Sequence, residues 1–168
     1  MKPIRNSHCS WCGSPFSSKA PWPRICIQCQ QVSYLNPLPV AVALIPTISG
    51  GLLGVKRNIE PAKGKVALPG GFIEMGESWQ EACVREIEEE LDLKLDAEKL
   101  KSFTTWSAPD GTVLIFGLFE EAIDADALPE FSPNDETTER VVITPGDDLS
   151  LAFDLHTKAA KKFFAQRT

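Results

Sequence analysis

The stretch from Gly70 to Leu93 constrains this chain more than any other. It opens with Gly70 and Gly71, and paired glycines admit backbone conformations that a Cβ forbids. Ser78 and Glu81 follow with the spacing of a capping box, in which each side chain satisfies a free N–H of the first helical turn. Trp79 to Leu91 contains no Gly or Pro and many strong helix formers, so a helix is predicted there. At about 100° per residue, Trp79, Cys83, Ile87 and Leu91 form one apolar arc. Glu81, Arg85 and Glu88 fall on or near the opposite side. Glu86, Glu89 and Glu90 break this pattern: they crowd within roughly 100° of one another, and Glu86 and Glu90 flank the position of Trp79. Carboxylates at such spacings repel, and burying them beside an apolar stripe is costly without a cation. Crowded hard oxygens suit Mg²⁺ or Mn²⁺. A Glu-rich face turned to solvent accounts for the same spacing, so the helix alone leaves both readings open.

The fixed positions Gly71, Glu77, Arg85, Glu86, Ile87, Glu89, Glu90 and Leu93 resemble the Nudix box, Gly-x5-Glu-x7-Arg-Glu-apolar-x-Glu-Glu-x-Gly-apolar. Asp92 departs from the pattern, standing where the family has the Gly that ends the helix. Asp tolerates the left-handed conformation better than most residues, so the departure bears on the helix end more than on the carboxylates. The resemblance implies a hydrolase acting on a nucleoside diphosphate linked to another group. It makes Glu86, Glu89 and Glu90 the ligands of a catalytic Mg²⁺ or Mn²⁺. It also makes Glu77 and Arg85 a pair that braces the loop against the helix.

A length of 168 residues suits about one domain with a real core. Met1 to Ser7 lacks the apolar centre of a signal peptide, and no run approaches a membrane span, so a cytoplasmic protein is expected. The net charge of −6 disfavours non-specific nucleic-acid binding. That charge is uneven: no Asp or Glu precedes Glu60, whereas Lys2, Arg5, Lys19, Arg24, Lys56 and Arg57 all do. These cations either meet an anionic partner or offset the thiolates of a metal site.

Cys9-Ser-Trp-Cys12 and Cys26-Ile-Gln-Cys29 are two Cys-x2-Cys pairs separated by a short polar loop. Paired turns of this kind deliver four thiolates to a tetrahedral Zn²⁺. In so small a segment the metal would supply the folding free energy. Disulfides are disfavoured by the absence of a secretion signal, and a redox motif by the tandem repetition. Tyr34 to Pro39 reads as a linker, giving a zinc ribbon over 1–36 and a second domain over 37–168. In that domain Val40–Ile45 and Leu52–Lys56 read as a hairpin about Ser49-Gly50-Gly51. Leu93–Leu95 reads as a short strand. Ser102–Ser107 and Thr112–Phe119 read as strands around Pro109-Asp110-Gly111. Residues 125–136 read as a loop, Val141–Thr144 as a strand, and a last helix is capped by Asp154. Strands around one central helix and a terminal helix make an α+β sandwich with a mixed sheet.

The cysteine pairs, Asn36-Pro37-Leu38-Pro39-Val40 and the approach to Leu68-Pro69-Gly70-Gly71 together resemble the zinc-ribbon branch of Nudix hydrolases. That branch holds NADH pyrophosphatases and ADP-ribose pyrophosphatase-like enzymes. It implies a Nudix-type α/β/α sandwich after the ribbon, structural Zn²⁺ and a homodimer. NADH pyrophosphatases carry a Ser-Gln-Pro-Trp-Pro-Phe-Pro-like array after the box. Here Phe103-Thr-Thr-Trp106-Ser-Ala-Pro109 stands in its place, which lowers NADH below ADP-ribose among expected substrates. The family draws its general base from a later loop or strand, and Asp135-Glu136-Thr-Thr-Glu139 makes Glu136 and Glu139 the candidates. Gly70 and Gly71 can approach substrate closely, and Arg57, Lys63 and Lys65 can meet phosphate, though surface solubility explains such lysines equally well. Cys83 reads as core, Trp106 and Phe116 as strand-core aromatics rather than a base stack, and His156 carries no assignment. A different class fits part of the pattern: a nucleotide-sensing or RNA-binding protein whose ribbon is the recognition module. The intact carboxylate set favours the enzyme.

Overall fold

The strand Leu38–Pro46 is apolar along most of its length and buried from Ala41 onward, as a strand with both faces covered must be. Its side chains alternate between two cores. Ala41, Ala43 and Ile45 pack with Ala82, Cys83, Ile87 and Leu91 of the first helix. Val42 and Leu44 pack on the other face with Ala159, Ala160 and Phe163 of the last helix. This period of two builds the three-layer sandwich, helix on sheet on helix.

The computed structural model describes residues 4–17, 20–146 and 149–167. The chain divides into two compact units, Met1–Pro37 and Leu38–Thr168. In the first, β1 (Arg24–Ile25) and β2 (Val32–Ser33) form a small antiparallel pair. Lys2 and Lys19 of the basic segment lie outside the described residues.

In the second unit, β3 (Leu38–Pro46) runs parallel to β8 (Thr112–Phe119), which pairs antiparallel with β7 (Leu100–Ser107). The other side of β3 meets the start of β4 (Leu52–Arg57) and all of β6 (Gly70–Phe72), both antiparallel. β4 in turn pairs with β5 (Val66–Ala67) and β9 (Thr137–Ile143). The sheet is therefore mixed, and the fold is α+β as the sequence indicates. A 3₁₀ turn, Ala97–Lys99, precedes β7. The segment Leu93–Leu95, expected as a strand, joins no ladder; Leu93 instead buries its side chain in the first core. The last sheet strand begins at Thr137 rather than Val141, because β4 pairs with it down to Arg57.

Helix α1 (Trp79–Leu91) starts on the capping box of Ser78 and Glu81, both halves of which form. It ends at Asp92 in the left-handed conformation, φ 50°. The last carbonyls, which have no partner within the helix, are served from elsewhere in the chain. Asn134 Nδ2 donates to the Glu89 carbonyl at 2.9 Å. Arg140 donates to the Leu91 carbonyl through Nε (2.9 Å) and Nη2. Helix α2 (Asp154–Ala165) corrects one expectation: Phe153, not Asp154, is the N-cap residue, and no side-chain cap bond forms. Asp154 already lies in the first turn, where a carboxylate faces the positive end of the helix dipole.

Candidate active site

The strand β6 and helix α1 hold the site between them. A Cβ on Gly71 would fall on the Glu86 carboxylate, and one on Gly70, at φ +151°, on the Ala41 carbonyl. The glycine pair therefore lets β6 run against β3 while α1 presses its carboxylates onto it. Gly70 N–H donates to Glu90 Oε2 at 2.9 Å. Arg85 ties the loop to the helix. Its Nε and Nη2 grip both oxygens of Glu77 (2.7 and 3.1 Å), Nη1 reaches Glu86 (2.7 Å) and Glu89 (3.2 Å), and Nη2 also donates to the Phe72 carbonyl (2.9 Å). Such a forked, charge-assisted pair fixes geometry as well as charge. The Arg85 hydrogen bonds hold the Glu77 carboxyl below its usual range.

The three sequence-selected helix carboxylates separate. Glu86 and Glu90 are buried, while Glu89 is exposed and turned toward Arg85. Burial pushes the Glu90 carboxyl up to about 8, against the pull of the Gly70 N–H. Burial likewise raises Glu86, with Arg85 opposing. Glu136 comes from the loop before β9 and completes a group: one oxygen each from Glu86, Glu90 and Glu136 lies within 4.8 Å of the others. Asn134 places that loop, accepting the Glu136 and Thr137 N–H groups on Oδ1 (2.9 and 2.7 Å) while its amide holds α1. Glu139, the other candidate base, sits on β9 opposite Lys56 and pairs with it at 2.6 Å, outside the group.

This donor set fits a small divalent cation. Mg²⁺ and Mn²⁺ take oxygens at roughly 2.1 Å in an octahedron, so ligand oxygens stand about 3.0 to 4.2 Å apart. Glu86 shares Arg85 with Glu77 and Glu89, whereas Glu90, buried and with its pKa raised, forms no ion pair among the described residues and is met only by the Gly70 N–H.

A cavity of about 520 Å³ is lined by Gly70 and Gly71, the same glycines that meet Glu90 and Glu86. Val40, Phe72, Leu114 and Phe153 give it apolar walls; Arg57, Asp110, Asp154 and His156 supply polarity. Arg57 lies over the Phe153 ring at 5.1 Å, its Nε donating to the Pro61 carbonyl at 3.0 Å. Lys63 and Lys65 are exposed. Phe116 is fully buried and packs against Trp106 at 5.4 Å, so both belong to the second core. Cys83 is fully buried, and burial pushes its thiol up to about 12, consistent with a core role. His156 is the functional candidate that sequence reading missed: it lines the cavity from α2 without any motif around it.

In the N-terminal unit, Cys9, Cys12, Cys26 and Cys29 bring their sulfurs within 4.8 Å of one another. Two of these separations, Cys9–Cys29 at 3.7 Å and Cys12–Cys26 at 3.6 Å, far exceed the roughly 2.0 Å of a disulfide. They match the edge of a ZnS₄ tetrahedron, about 3.8 Å for Zn–S near 2.3 Å. Both turns share one form: Gly13 N–H returns to the Cys9 carbonyl, and Gln30 N–H to that of Cys26.

The sequence profile of the NUDIX domain matches residues 37–166, and the chain belongs to that family. It is a Nudix pyrophosphohydrolase by class. Over 135 residues it is 37% identical to an ADP-ribose pyrophosphatase of Methanocaldococcus jannaschii, covering 77% of this chain and 75% of that protein. A NAD-capped RNA hydrolase NudC of Salmonella heidelberg is 28% identical over 109 residues, 64% of this chain but only 42% of that protein. A Nudix hydrolase structure from Nitrosomonas europaea superposes with a TM-score of 0.69 at 24% identity, covering 96% of this chain and 92% of that one. Among the described residues no helix is long and apolar enough to cross a membrane.

Proposed function

We propose that this chain hydrolyses the diphosphate linkage of a nucleoside diphosphate conjugate, ADP-ribose first among candidates and NADH or FAD behind it. The observation that carries the proposal is the group formed by Glu86, Glu90 and Glu136, with Gly70 and Gly71 packed against Glu90 and Glu86 on one side and lining a cavity of about 520 Å³. The 37% identity to an ADP-ribose pyrophosphatase supports the choice of substrate.

Glu86, Glu90 and Glu136 would hold Mg²⁺ or Mn²⁺, which when bound neutralises phosphate oxygens and activates water for attack on phosphorus. Glu86 and Glu90 are rigid, set on α1 and braced by Arg85 and Gly70. Glu136, exposed and on a loop, contributes one oxygen to the group and has a second that would take the proton from the attacking water. The new bond joins the water oxygen to one phosphorus. The bridging P–O bond breaks, and its electrons leave on the second phosphate, giving AMP and ribose 5-phosphate from ADP-ribose. The cavity walls hold the nucleoside, and Arg57 at their edge offers a cation to phosphate. Cys9, Cys12, Cys26 and Cys29 would hold a structural Zn²⁺.

A second reading has its own observation. The N-terminal unit exposes Trp11 (67%) and Tyr34 (68%) in a segment with no acidic residue, a combination suited to stacking and charge contacts with single-stranded RNA. The test is kcat/KM for ADP-ribose, NADH, FAD and a NAD-capped oligonucleotide at one salt concentration. ADP-ribose should lead. If the oligonucleotide leads, and Trp11→Ala with Tyr34→Ala removes only that activity, the ribbon is a recognition module and the small-molecule assignment is wrong.

A further inference from the structure

We propose that the His156 Nε2–H is a recognition donor for an acceptor nitrogen on the heterocyclic base of the substrate; this rests on the nucleoside occupying the cavity, as above. The tautomer is fixed by a bond made far along the chain. Leu68 N–H donates to His156 Nδ1 at 3.3 Å, so Nδ1 is unprotonated and a neutral ring carries its hydrogen on Nε2. Phe153 and Phe116 hold the ring edge-on at 5.0 and 5.9 Å, which sets its plane.

The side chain is 5% exposed, yet Nε2 makes no hydrogen bond to a described residue. Among the described residues, Thr137 Oγ1 is the one fully buried side-chain polar atom without a partner. Nε2 therefore keeps access to solvent, and the space that His156 fronts is the cavity. Water can accept from that donor in the open cavity, and a ligand that displaces the water loses affinity unless it offers an acceptor in its place. The same walls are aromatic and aliphatic, Phe72, Phe153, Val40 and Leu114, which suits the face of a planar heterocycle. Burial, reinforced by Arg57, holds the imidazole pKa at about 3, so the ring stays an uncharged donor across the working range.

Two substitutions separate recognition from support. His156→Asn retains an acceptor where Nδ1 meets Leu68 and removes the Nε2 donor. His156→Gln reaches the Nε2 position with an amide donor and gives up the Leu68 bond. The probes are AMP, its 1-deaza, 3-deaza and 7-deaza analogues, and ribose 5-phosphate, titrated calorimetrically into the 168-residue chain with Mg²⁺. In wild type, one deaza analogue should bind about five- to tenfold more weakly than AMP. In His156→Asn, AMP itself should weaken by about that factor, the deaza penalty should vanish, and ribose 5-phosphate binding should not change. His156→Gln should keep part of the penalty. The proposal is overturned if no deaza analogue is weakened in wild type, a result that needs no variant to fold. It is also overturned if His156→Asn binds AMP as wild type does, or if AMP does not bind at millimolar concentration. ADP-ribose hydrolysis by wild type is scored separately: turnover with any of these results sinks only the donor assignment, whereas no turnover sinks the functional reading.

Discussion

Acidification should unfold this protein partly through His156. The unfolded chain carries an ordinary histidine with pKa 6.5, while burial holds the folded one at about 3. Above pH 6.5 neither state is protonated and the native contribution is complete. Between 6.5 and 3 the unfolded state takes up a proton that the folded state refuses, so stability falls by about 1.4 kcal/mol per pH unit. At pH 4.5 the loss is about 2 to 3 kcal/mol. Urea unfolding at pH 7.5 and 4.5 measures it, with His156→Asn as the reference, because Asn keeps an acceptor for the Leu68 N–H and does not titrate. Carboxylates and thiols elsewhere titrate equally in both proteins and cancel. Wild type should lose about 2 to 3 kcal/mol more than the variant over that interval. Equal losses, within about 0.5 kcal/mol, would show that the imidazole protonates freely in the folded state and would refute its burial as a neutral ring.

Glu90→Gln should lower kcat by orders of magnitude without unfolding the chain, because the amide oxygen can still accept from Gly70 N–H while the ligand charge is gone. Since burial pushes the Glu90 carboxyl up to about 8, the Mn²⁺-induced rise in melting temperature should grow from pH 6 to pH 9 in wild type and grow less steeply in that variant, where Glu86 is the raised carboxylate that remains. Glu136→Gln should cost at least about a hundredfold in kcat and Glu139→Gln little beyond its exposed pair with Lys56; the reverse ranking in a steady-state assay would move the proton acceptor to Glu139. Elemental analysis should find about one zinc per chain, and a mapped disulfide among Cys9, Cys12, Cys26 and Cys29 would remove the structural metal.

What could be read in the sequence was local. Helix α1 announces itself through Ser78, Glu81 and the spacing of Cys83, Ile87 and Leu91, all within a few turns of each other. The wheel grouped Glu86, Glu89 and Glu90 by angle, whereas in the fold Glu86 and Glu90 lie with Glu136 and Glu89 is exposed. It could not show that Arg85 and solvent take Glu89 while Gly70 takes Glu90, since β6 packs against only part of the helix. Glu136 and Glu139 look equivalent in sequence; the register that sets Glu139 opposite Lys56 is a property of the β4–β9 pair. His156 was illegible for a similar reason, since the bond that fixes its tautomer spans from Leu68 across most of the domain. Asp92 keeps the left-handed helix end for which the pattern has a glycine. That Asn134 and Arg140 would serve its carbonyls became visible only once the 134–140 segment was seen to dock there.

The most direct test is ³¹P NMR of ADP-ribose incubated with the 168-residue chain and Mg²⁺. The diphosphate resonances should disappear as AMP and ribose 5-phosphate grow in equal amounts, and the reaction should stall without divalent cation and in Glu90→Gln. An intact diphosphate in the presence of folded protein and metal would contradict the assignment of substrate. Cleavage that proceeds undiminished in Glu90→Gln would contradict the carboxylate site itself.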